Sequence, residues 1–116
     1  AEAVNIYDKL ASDSGIDKVQ QGFAIIQAAT LRLDDAPFDE MKKRLEALAV
    51  TGNNWRHSAR ELIGLSAFRT GKMTVVERYF NLMLSDQQTP VNMRRRAEMM
   101  LSLLVQSTGA PAPAGK

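Results

Sequence analysis

Two small residues, five positions apart, recur three times along this chain: Ala24 and Ala29, Ala59 and Gly64, Ala97 and Ser102. The first two copies are 35 residues apart and the last two 38. At the 35-residue offset the intervening apolar positions repeat as well, with Phe38, Met41, Leu45 and Leu48 falling on Met73, Val76, Phe80 and Met83. Ile6 and Leu10 stand at the same offset before Met41 and Leu45. A repeat of this length with helical spacing restricts the fold severely. A single helical hairpin cannot bury its apolar face alone and must stack on copies of itself. If A denotes a helix with the small pair and B its partner, the order is B, A-B, A-B, A.

Local signals predict an all-α chain of about six helices, at roughly 2–12, 17–33, 37–50, 55–70, 73–86 and 90–107. Apolar residues recur at helical spacing within these segments, and most Gly and Pro residues fall between them. Asp17 is suited to cap the second helix. Pro37, with Asp39 and Glu40, suits the first turn of the third. Asn53 or Asn54 can cap the fourth, and Gly71 can close it in a left-handed conformation. Thr89-Pro90 reads as the cap and first residue of the sixth. The expected organisation is one helical domain over 1–107, followed by a disordered Ala/Pro/Gly-rich tail over 108–116.

Composition excludes several functions. With no cysteine and only one histidine, His57, the chain offers no thiolate or histidine metal site and no Cys nucleophile. No apolar run reaches the roughly 18–20 residues of a membrane-spanning helix, and there is no signal-peptide pattern. Residues 1–50 carry nine acids and six bases, and residues 51–116 carry four acids and nine bases. That is mild polarity rather than a nucleic-acid stripe, which needs clustered bases interleaved with aromatics. Neither catalysis nor a cofactor is expected.

The remaining candidates are few. His57 has no nucleophile or carboxylate motif around it and reads as a surface or cap-adjacent residue. Asp34-Asp35 and Asp39-Glu40 lack the spacing of a calcium loop and read as capping residues. Trp55 reads as a packing residue between repeats. In the Arg94-Arg95-Arg96 run, successive residues are about 100° apart on the helix. Arg94 and Arg95 fall beside or opposite the main apolar stripe and read as solvated, whereas Arg96 lies on its other shoulder beside Met99 and Leu103. That second shoulder recurs as Glu61, Leu65 and Phe68 in the fourth helix and as Ile26, Thr30 and Leu33 in the second. The pattern is compatible with either a partner groove or a core filled by Leu65, Phe68, Met99 and Leu103.

The segment from His57 to Pro90 resembles one tetratricopeptide (TPR) repeat, with Gly64 as the signature glycine of helix A, Gly71 as the turn glycine, Phe80 as the helix-B aromatic and Pro90 as the terminal proline. The helix-B alanines are replaced by Val76 and Met83, and the signature Trp and Tyr of helix A are absent, so the repeat is degenerate. Asn54-Trp55-Arg56-His57-Ser58-Ala59-Arg60-Glu61-Leu62-Ile63-Gly64-Leu65, followed by Pro90 and Arg96-Ala97-Glu98, makes 1–107 similar to the bacterial TPR-like family of ancillary SecYEG translocon subunits and cell-division coordinators. The resemblance implies a helical-hairpin solenoid in which helix A packs closely on helix B at Gly64. It also implies that Ile26, Thr30, Leu33, Glu61, Leu65, Phe68, Arg96, Met99 and Leu103 line a groove for a protein partner. The family implies a protein anchored in the bacterial inner membrane, with its TPR domain on the periplasmic face. This chain would then be a soluble fragment lacking the anchor, with translocon or envelope proteins as partners and no nucleic acid. The alternative is a self-assembly module in which apolar residues of the terminal repeats pair in a homodimer.

Overall fold

The structure, a computed structural model, describes residues 2–108. Six α-helices follow one another: α1 (Glu2–Ala11), α2 (Lys18–Arg32), α3 (Phe38–Leu45), α4 (Arg56–Arg69), α5 (Met73–Ser85) and α6 (Val91–Thr108), with a 3-10 turn at Glu46–Leu48 after α3. There is no strand among the described residues, and no helix there is long and apolar enough to cross a membrane. Residues 109–116 of the expected tail lie outside the described residues, whereas Thr108 is the last residue of α6.

Each helix packs on its chain neighbours, and α4 also touches α2 and α6. The A-type helices α2, α4 and α6 are therefore adjacent, as consecutive stacked hairpins require. The extents of 48 × 29 × 19 Å are those of a slab rather than a sphere. One core runs through it, holding Met41 and Leu45 from α3, Ile63 and Ala67 from α4, Val76, Phe80 and Met83 from α5, and Ala97 and Leu101 from α6.

The small positions explain how the hairpins close. Ala24, Ala59 and Ala97 are buried in all three A helices, as are Ala29 and Gly64. A Cβ built on Gly64 would lie 2.7 Å from Cε2 of Phe80 on α5, so the helices approach there to backbone distance. The third copy behaves differently. Ser102 is exposed, and among the described residues no helix after α6 covers it. Ile6 and Leu10 of α1 differ in the same way, being 56% and 40% exposed, since among the described residues α1 packs mainly on α2.

Several helix ends are set by local chemistry. The Asp17 carboxylate accepts from Gln20 N at 2.8 Å and caps α2. At the end of α4, Lys72 N donates to Ala67 O and Gly71 N to Phe68 O, with Gly71 at φ +79°, which together form a Schellman motif. Other ends depart from expectation. Pro37 precedes α3 as its N-cap rather than starting it, and the helix tightens into the 3-10 turn after Leu45. Asn53 accepts from Trp55 N, forming a turn ahead of α4 instead of capping a helical amide. Thr89 does not cap α6, because its hydroxyl turns back to donate to Met83 O at 2.7 Å. That bond ties the α5–α6 connection to the end of α5.

Charge joins α3 to both α2 and α1. Arg32 reaches Glu40 through two hydrogen bonds, and Arg44 bridges Glu40 and Asp8. The Arg32 guanidinium, with help from Arg44, holds the Glu40 carboxyl down at about 2. At the next junction Trp55 lies over Gly22, donates from Nε1 to Val19 O at 3.1 Å, and stacks at a tilt on Phe23 with centroids 6.1 Å apart. It is a packing residue between hairpins.

Ser66 is fully buried in α4, and its hydroxyl has no hydrogen-bond partner. An unsatisfied buried polar group costs roughly 1–3 kcal/mol. Ser66→Ala removes only that hydroxyl and adds helix propensity, so it is expected to raise stability by about 1 kcal/mol in a urea melt. A loss of stability on substitution would show that the hydroxyl is satisfied in solution.

Candidate functional site: the face shared by α4 and α6

Residues 61, 65 and 68 form one stripe of α4, and 96, 99 and 103 one of α6, because residues three and four apart share a helix face. The two stripes are joined by an ion pair. Arg96 donates from Nε to Glu61 Oε2 at 2.6 Å and from Nη2 to Glu61 Oε1 at 2.9 Å, a two-bond guanidinium–carboxylate clamp. This clamp holds the Arg96 proton more firmly than usual. Arg96 is about half exposed while the Glu61 side chain is mostly covered, so the cation faces outward.

The nine residues expected to line this face differ in exposure, the Glu61–Arg96 pair being joined as above. Met99 and Leu103 are 63% and 40% exposed and stand free on α6. Leu33, Leu65 and Phe68 are half-buried and rest on the core, presenting only part of their surface. Ile26 is 8% exposed and belongs to the core, so it offers little to a partner. Thr30 is exposed, with its hydroxyl donating to Ile26 O at 2.7 Å within its own helix. The exposed part of the face is thus concentrated on α6, and the α2 end contributes mainly Thr30 and Leu33.

A second constellation has no counterpart among the expected residues. Arg56 and Arg60, one turn apart on α4, are 8% and 4% exposed. Both meet Asp86, the residue after α5. Arg56 donates from Nε to Oδ2 at 2.6 Å and from Nη2 to Oδ1 at 3.3 Å, and Arg60 from Nη1 to Oδ2 at 2.9 Å. The remaining Arg56 donors reach Asn53 O and Gln88 Oε1, and Arg60 Nε reaches Ala49 O beyond the 3-10 turn. The Asp86 carboxylate also accepts from Gln88 N. The Arg56 guanidinium, then the Gln88 amide and Arg60, hold the Asp86 carboxyl far below the ordinary range against the opposing effect of burial. Arg94, expected to be solvated, donates to Leu84 O and Asp86 O and so covers the carbonyl end of α5. Arg95 is exposed, as expected.

His57 stands beside this cluster. Its Nδ1 lies 3.3 Å from Thr89 Oγ1, a distance that would suit a base and a hydroxyl nucleophile. The Thr89 proton is already donated to Met83 O, so the hydroxyl can only accept from the imidazole. Burial, with the Arg56 charge next, lowers the His57 pKa. The pair therefore serves packing of the α5–α6 connection rather than activation of a nucleophile.

Comparison of the chain with models of known protein families, with curated proteins and with solved structures finds no match.

Proposed function

We propose that this chain is a non-catalytic protein-interaction scaffold that takes up a partner's apolar side chains on the α4/α6 face. The observation that carries the reading is the pairing of Met99 and Leu103, both well exposed, with a fixed Glu61–Arg96 clamp whose cation faces solvent. Exposed methionine and leucine beside an ordered charge is the composition of a helix-in-groove contact, in which apolar anchors supply affinity and the charge sets orientation. The resemblance carried by residues 54–65, Pro90 and Arg96-Ala97-Glu98 supports the same reading at the bacterial inner membrane. There the chain is the envelope-facing part of an anchored TPR-like protein, and its partners are translocon or envelope proteins. A second reading, self-assembly, draws on Ile6 and Leu10 of α1, which are exposed at the opposite end from Met99 and Leu103.

Light scattering across a concentration series separates the two, since a scaffold for other proteins stays monomeric and a self-assembling module gains mass. For the scaffold, Met99→Asp with Leu103→Asp is expected to leave the melt within about 0.5 kcal/mol of the parent, as exposed substitutions do. The same change is expected to abolish crosslinking to envelope partners. Retained crosslinking in a folded double variant would remove this face from the function.

A further inference from the structure

The Arg56–Arg60–Asp86 cluster leaves charge unbalanced. Two guanidiniums face one carboxylate, and both are more than nine-tenths buried. The carbonyl end of α5 carries roughly half a negative charge, but Arg94 already engages it. Uncompensated buried charge is costly, and proteins relieve it with a counter-ion or by hydration. Arg60 is also incompletely used. Its Nε and Nη1 are bonded, while Nη2 has no hydrogen-bond partner among the described residues and is not sealed from solvent. Arg60 lines an open cleft of about 360 Å³, together with Thr51, Arg56, Leu82, Ser85, Asp86 and Gln87. Thr51 is exposed at the edge of this cleft.

We propose that this cleft binds a single oxyanion group, a carboxylate or a phosphate, on the outward edge of Arg60. A planar guanidinium with a free N–H, already oriented by two other bonds, gives an oxyanion a donor that needs no further ordering. Arg60 lies about 140° around α4 from Leu65, so this site is separate from the α4/α6 face and independent of the scaffold reading.

The test is an NMR titration of the whole chain with inorganic phosphate and, separately, with acetate at constant ionic strength. The backbone amides of residues 51 and 85–88 and the Arg56 and Arg60 Nε–H signals are followed. Saturable shifts confined to these groups are the expected result, and the anion that saturates at lower concentration identifies the head group. Absence of saturation below roughly 10 mM, or shifts spread over all exposed arginines, overturns the proposal. Arg60→Met removes the free donor and the excess charge while Arg56 still pairs with Asp86, and it is expected to weaken binding at least tenfold. Thr51→Glu places a competing carboxylate at the exposed edge without touching the core. It is expected to weaken binding by a similar factor, and decides the matter alone if Arg60→Met does not fold. Unchanged affinity in the folded variants overturns the assignment.

Discussion

Asp86→Ala is expected to cost about 3 kcal/mol, toward the lower end of the roughly 3–5 kcal/mol lost when one partner of a buried ion pair is removed. The carboxylate is the only anion facing the buried Arg60 among the described residues, and it also holds Arg56 and the Gln88 amide. Its loss frees the connection between α5 and α6 from the start of α4. The cleft admits water, and partial hydration of the guanidiniums keeps the penalty from its upper end. Asp86→Asn retains an acceptor for Gln88 N but not the charge, so its urea midpoint is expected between those of the parent and the alanine variant. An Asp86→Ala melt within about 1 kcal/mol of the parent would mean that both arginines rehydrate freely.

Gly64→Leu is expected to be comparably damaging, at about 3 kcal/mol, the upper part of the usual range for overpacking a filled core. The nearest atoms to a Cβ there are Cε2, Cζ and Cδ2 of Phe80, at 2.7, 2.9 and 3.2 Å. Phe80 is fully buried, so its ring can yield only by displacing other core side chains. Even Gly64→Ala is expected to destabilise, although in an exposed helix the same change helps by up to about 1 kcal/mol. Combining Gly64→Ala with Phe80→Leu should then recover part of the loss, with a coupling of roughly 0.5–3 kcal/mol in a double-mutant cycle. Strict additivity of the two changes, or a Gly64→Leu melt equal to the parent, would place Gly64 away from α5.

The α4/α6 face was partly legible in the sequence. Met99, Leu103 and Arg96 follow from counting helical positions, and Glu61 stands at the matching place on α4. Ile26 was misplaced by the same count, because periodicity gives an angle around a helix but not which neighbour fills that angle. The Arg56–Arg60 pair gave no usable signal. Two arginines one turn apart look like a solvated face, since their acid lies 26–30 residues away at the end of another helix.

What the sequence determined by itself is the set of elements and their kinship. Six helices, the Asp17 cap, the Gly71 turn and the buried small positions at 24, 29, 59, 64 and 97 rest on interactions within a few residues or on a repeated demand for close packing. Which faces are covered was decided only by the tertiary structure. Ser102, Ile6 and Leu10 carry the pattern of their repeats yet lie exposed, with no further helix packed over them among the described residues. Arg56 and Arg60 became buried, and Thr89 turned from α6 to α5, because chain closure brought Asp86 and Met83 O within reach. Burial and pairing depend on what lies across a helix, and that is a property of the packed molecule rather than of any segment of it.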